Sequence, residues 1–225
     1  VIFPLRDDIP SRTFPIAMSL VMGACAAAFY YTLALPSPVE VKRLFTTFGV
    51  IPAQVTGYAV PTPAAFPVRL GASLFLHGGW THLLGNMLFM WIFADNVEDA
   101  MGHGPFLVFY LICGVIANIV HILANPLSTE PTIGASGAIA GVLGAYLLLY
   151  PGARVQVLVW LLFVFVRFVW VPAVLFLPVW VFLQLSSGLA TLGVPSAGGV
   201  AWWAHVGGFA SGMALVRVFA AGRQR

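Results

Sequence analysis

The sequence predicts an all-α polytopic membrane protein, a six-transmembrane-helix bundle forming a single domain over residues 1–225. Two observations carry this. Of 225 residues, 60% are apolar and only 8% charged, with a mean hydropathy of +0.98. A soluble domain is about 45–50% apolar and about 25% charged, so a water-soluble globule could not cover its surface with this chain. The second is length: at about 20 residues per span, the chain accommodates about six spans with short connections. The same composition excludes a disordered chain, a collagen-like rod and a coiled coil. A scattered net charge of +3 offers no nucleic-acid surface. Cys25 and Cys113 lie in apolar stretches and read as small core residues. No Cys/His spacing resembles a metal site, so neither metal nor cofactor is expected.

The first span is read at 14–35. Its apolar run is too long for a signal peptide's h-region of about 7–15 residues, and Pro36 and Pro38 end it. The connection 36–78 holds Pro52, Pro61, Pro63 and Pro67 and so is no membrane helix. Within it, Val41, Leu44, Phe45 and Phe48 recur at helical spacing beside Lys42 and Arg43, the pattern of an interfacial amphipathic helix. Span two is read at 80–97 and span three at 104–124, where Asn125-Pro126 breaks the chain. Span four is 134–150 and stops at Pro151. Arg167 and Pro172 interrupt the long apolar stretch 155–185. Residues 155–170 are therefore read as a hydrophobic interfacial connection, span five as 172–190 and span six as 199–219.

Alternation of these spans collects Arg6, Arg12, Arg154, Arg167, Arg217, Arg223 and Arg225 on one side, and Lys42, Arg43 and Arg69 on the other. Basic residues favour the cytoplasmic face. The expectation is an integral multi-pass protein of the plasma (inner) membrane with both termini cytoplasmic.

Polar side chains in a bilayer are costly and mark function by default. His82 and Asn86 share one face of span two, being four residues apart. Ser136 stands near the start of span four in Gly134-Ala135-Ser136-Gly137. His205 lies near the start of span six in His205-Val206-Gly207-Gly208. All four fall in one layer near the outer face. Gly137 and Gly141 in span four, and Gly208 and Gly212 in span six, are G-x-x-x-G steps that let helix backbones approach closely. Close approach lets a histidine accept the proton of a serine nucleophile. Donors for the resulting oxyanion are expected from the Ser136 backbone N–H, the Asn86 amide and the His82 ring. Asp95, Glu98 and Asp99 all lie at the inner end of span two, so a Ser136–His205 dyad is expected instead of a triad, with helix packing orienting His205. His77, His103 and His121 read as structural or bystander residues, and Glu98 with Gly102 as shaping the turn between spans two and three.

These residues resemble the rhomboid family of intramembrane serine proteases over about residues 40–215. His82-Leu83-Leu84-Gly85-Asn86 resembles the family's H-x-x-x-N on the second helix. Gly134-Ala135-Ser136-Gly137 resembles the G-x-S-G that supplies the nucleophile. His205-Val206-Gly207-Gly208 with Gly212 resembles the sixth-helix motif that supplies the base. Glu98 and Gly102 resemble a further structural pattern, and Arg69 occupies the place of the arginine in a first-loop Trp-Arg pair. Three positions depart. Val68 replaces that Trp. Ser73 stands where some members have a His. Ala140 replaces the Tyr that stacks under the base in many members, leaving Trp202 or Trp203 as candidates to hold the His205 ring.

The resemblance implies an endopeptidase cleaving transmembrane protein substrates in or near their membrane segments. It also implies a lateral gate at 172–190 and a cap at 191–198, where Gly193, Pro195, Ser196 and Gly198 suit a mobile lid. A non-catalytic rhomboid-like protein that binds membrane clients is the alternative, although such proteins usually lack the serine or the histidine kept here. A small transporter would need inverted repeats and carboxylates within its spans, and neither is present.

Overall fold

The structure is a computed structural model that describes residues 2–161, 165–192 and 199–220. A strand β1 (Ile2–Asp7) leads into helix α1 (Ile16–Leu33). The first connection carries α2 (Pro38–Phe48), α3 (Pro52–Val55), α4 (Phe66–Ala72) and a 3-10 turn at Ser73–Phe75. Helices α5 (Trp80–Met101), α6 (His103–Ala124) and α7 (Ser136–Leu149) follow. Strands β2 (Arg154–Leu161) and β3 (Phe165–Pro172) precede α8 (Ala173–Ala190) and α9 (Trp202–Ala220). By length and composition α1, α6 and α8 can each cross a membrane, and α7 is a shorter apolar helix.

The architecture is mostly helical, but not all-α. Of residues 155–170, expected to be an interfacial connection, 155–161 and 165–170 lie in two strands of an antiparallel sheet of order β1-β2-β3. The physical reason is the run Val155-Gln156-Val157-Leu158-Val159. It alternates with period two and is rich in β-branched residues, which suit a pleated surface. Val155 and Val157 are buried, whereas Gln156 is half-exposed and accepts a hydrogen bond from the Arg6 guanidinium of β1 at 3.0 Å.

Proline and glycine set the boundaries. Ser37 caps α2, its hydroxyl accepting the Glu40 N–H at 3.3 Å. Gly102, at φ +89°, separates α5 from α6. Glu98 does more than shape that turn. Its carboxylate accepts the Ala17 and Met18 N–H groups at 2.9 and 2.7 Å, satisfying the open start of α1, and meets the His103 ring at 2.5 Å. Arg69 is buried and its Nε donates to the Gly49 carbonyl at 2.9 Å, bracing the first connection without a tryptophan beside it.

The core lies between α5, α6, α7 and α9, with Phe93, Phe106, Phe109, Tyr110, Leu143 and Tyr146 fully enclosed. The most extensive packing is between α7 and α9. It is made of glycine: a Cβ on Gly208 would stand 1.9 Å from the Gly137 carbonyl oxygen, and one on Gly212 1.9 Å from that of Gly141. No side chain fits there, so the two backbones touch. At about 1.5 Å per residue, the 14 residues of α7 rise about 21 Å, less than the roughly 30 Å hydrocarbon layer. Ala135, immediately before α7, is fully buried.

Candidate active site

Ser136 is the first residue of α7, where backbone N–H groups have no partner inside the helix. Across the glycine seam, His205 on α9 is 93% buried. Its Nε2 is 2.8 Å from Ser136 Oγ, within the range a nucleophile–base pair requires. The expected pair is thus in hydrogen-bond contact.

His82 and Asn86 come to the same place from α5. Gly134, at φ +121°, leaves room for them: a Cβ on it would lie 2.5 Å from His82 Nε2 and 3.7 Å from Asn86 Nδ2. Its N–H is held by the Ser73 carbonyl at 2.8 Å, and the Ser73 hydroxyl accepts from Asn118 at 3.2 Å. Asn86 Nδ2 is 2.9 Å from Nε2 of fully buried His77, whose Nδ1 is 3.1 Å from the Phe75 carbonyl. The carbonyl can only accept, so Nδ1 carries the proton and Nε2 accepts from Asn86. His77 therefore orients the Asn86 amide and leaves its second N–H free to act. Burial, with the neighbouring His82, pushes the His77 pKa down to about 4, so it stays neutral.

These groups line a cavity of about 1010 Å³ between α5, α8, α9 and the connection that follows α6, with Ser136, His82, Asn86 and His205 among its walls. His121 also borders it. Of the cap expected at 191–198, residues 193–198 lie outside the described residues.

The support of the His205 ring differs from expectation. Trp202 meets it edge-on at 6.3 Å, but Trp203 packs against Gly188 instead. Trp180 of α8 lies beside it at 5.7 Å with the ring planes 33° apart. The closest polar partner is Gln184 of α8, whose Oε1 is 2.7 Å from His205 Nδ1. Helix packing alone does not orient the ring; a side chain does. The signal was available, since Gln184 is an amide in the middle of an apolar helix.

A hydroxyl and an imidazole joined across touching helices, inside a bundle of apolar helices, define a membrane-embedded site. Residues 66–222 match the family model described as the Rhomboid domain. The chain belongs to the rhomboid family and is an integral membrane protein. It is 40% identical over 93 residues to YdcA of Bacillus subtilis (strain 168), covering 41% of this chain and 46% of that protein. It is 30% identical over 144 residues to the mitochondrial presenilin-associated rhomboid-like protein of Mus musculus, covering 60% and 34%. It is 42% identical over 79 residues to the rhomboid protease GluP of Bacillus subtilis (strain 168), covering 35% and 15%. The matched part of the chain spans less than half the length of each of these curated relatives.

Proposed function

We propose that the chain is an intramembrane serine endopeptidase with Ser136 as nucleophile and His205 as general base. The observation that carries this is the 2.8 Å contact between Ser136 Oγ and His205 Nε2 on the wall of the cavity. His205 Nε2 takes the hydroxyl proton as Oγ attacks the scissile carbonyl carbon. The oxyanion is held by the Ser136 N–H, the Asn86 amide and the His82 ring. The C–N bond then breaks as His205 passes its proton to the leaving amine. Water, deprotonated by His205, hydrolyses the acyl-enzyme.

The substrates of this reading are transmembrane proteins that enter the cavity from the bilayer. The rhomboid protease GluP, matched over part of its length, supports the reaction class. One domain of six spans accommodates the site, with α1, α5, α6, α7, α8 and α9 as the spans. The arginine bias puts both termini in the cytoplasm, in a plasma membrane.

A fluorophosphonate probe and a transmembrane substrate test this on the purified chain. Ser136→Ala and His205→Ala are each expected to abolish both labelling and cleavage. Cleavage retained in either variant overturns the dyad, and a folded wild type that neither labels nor cleaves favours a client-binding role.

A further inference from the structure

We propose that Gln184 is a positioning residue that fixes the tautomer of His205, and that it ties the reactivity of Ser136 to the seating of α8. The inference rests on the dyad reading above.

The chemistry starts from the amide. Gln184 Nε2 lies 3.4 Å from the carbonyl oxygen of Trp180, one turn earlier in α8. A carbonyl only accepts, so the NH₂ end of the amide points to it and the oxygen end points away. That oxygen faces His205 Nδ1 at 2.7 Å. An amide oxygen also only accepts, so Nδ1 carries the imidazole proton. The other nitrogen, Nε2, then holds the lone pair, and it is the atom 2.8 Å from Ser136 Oγ. The opposite tautomer would set a lone pair against the Gln184 oxygen and an N–H toward the serine, where no proton could be taken. A relay of three hydrogen bonds thus runs from the α8 backbone to the nucleophile.

Its position gives it a second consequence. Gln184 projects from the same face of α8 as Ala173, Leu177, Trp180 and Gly188, while Val174, Leu175, Val179, Phe182 and Leu183 are exposed on the other faces. Toward His205, α8 makes its contact through the side chains of Trp180 and Gln184, whereas α7 and α9 meet backbone to backbone. Moving it outward breaks the Gln184–His205 bond before it disturbs the α7–α9 seam.

The test uses the full chain in detergent. Gln184→Met keeps the length of the side chain and removes the acceptor, while Gln184→Glu keeps an oxygen facing Nδ1. Gln184→Met is expected to lower the rate of fluorophosphonate labelling about 10–100-fold, part of the roughly 10²–10⁴-fold a general base supplies. The kcat for a transmembrane substrate should fall alike, with KM within about twofold. Gln184→Glu should recover most of the rate. Nitrogen-15 NMR of histidine-labelled protein, with His205 assigned by difference from His205→Ala, should show Nδ1–H in the wild type and a tautomer mixture in Gln184→Met. Wild-type labelling rates in Gln184→Met overturn the inference. So does an Nε2–H tautomer in the wild type, a result that holds whether or not the variants fold. Labelling that persists in Ser136→Ala instead overturns the dyad reading itself. A silent Ser136→Ala beside an undiminished Gln184→Met removes only the role of Gln184.

Discussion

Along the seam between α7 and α9, backbone lies on backbone. Gly137, Gly141, Gly208 and Gly212 leave no gap, and a Cβ on Gly144 would stand 2.2 Å from the Phe209 carbonyl oxygen. On the other side of His205, α8 touches the bundle through one face only, and Pro178 interrupts its ladder of hydrogen bonds. The seam sets how far Ser136 is from His205. The α8 contact sets which way the His205 ring is turned and which nitrogen holds its proton. Distance and orientation are therefore assigned to two helices with very different freedom to move.

The largest effect should come from breaking the seam. Gly208→Ala or Gly212→Ala places a methyl where a carbonyl oxygen is 1.9 Å away. The neighbour is backbone and cannot rotate aside, so α7 and α9 must separate. Overpacking typically costs about 1–3 kcal/mol, and with both backbones displaced a loss of about 3 kcal/mol or more is expected. Thermal unfolding and probe labelling should fall together. A variant that melts like the wild type and still labels would show that the seam does not set the distance.

A smaller effect, of a different kind, should come from α8. The Trp180 ring packs beside His205 and Phe209, at centroid distances of 5.7 and 6.5 Å. Trp180→Ala should slow labelling by about tenfold, because the ring that confines His205 is gone. Its stability cost should be only about 1 kcal/mol, because the half-buried ring borders the cavity and its removal leaves no enclosed void. Activity falling without stability separates α8 from the seam; a large drop in melting temperature would erase the distinction.

The same contrast explains what was legible in the sequence. Ser136, His205, His82 and Asn86 stood out because each is a polar residue among apolar neighbours, and the glycine spacing announced which helices touch. The helices themselves were bounded by Pro36, Asn125-Pro126 and Pro151. The sheet was hidden for two reasons. Leu158 and Trp160 are apolar as well, so the alternation of valines reads as one continuous run. Its partner β1 is also about 150 residues away in sequence, with Ile2 opposite Val159. Gln184 is as conspicuous as His205, but it is an amide, whereas the third member of a serine–histidine site is ordinarily a carboxylate. Which way it points depends on the rotation of α8 about its axis, and a helix apolar on every face does not encode that rotation.

The smallest effect should come from the anchor at the start of α8. The sheet runs directly into this helix: the Ala173 N–H donates to the Ala153 carbonyl at 2.8 Å, one residue before β2 begins. Beside it, the Asp8 carboxylate accepts the Arg154 backbone N–H at 2.7 Å and meets the Arg154 Nε at 3.2 Å. The Arg154 backbone N–H, and then its guanidinium, hold the Asp8 pKa below the ordinary 3.8. A carboxylate whose folded pKa is depressed contributes stability that is present above its unfolded pKa and is lost as pH falls through the folded one. The contribution should therefore be full at neutral pH and fade below about pH 4. Both side chains are solvent-exposed, which limits the contribution to about 0.2–1 kcal/mol. Asp8→Asn should lower the melting temperature slightly at pH 7, and the difference from the wild type should close by pH 3. A gap that widens on acidification would contradict the assigned direction. Slowed labelling at an unchanged melting temperature would instead place the anchor of α8 in the sheet, extending the orienting region from Gln184 down to β2.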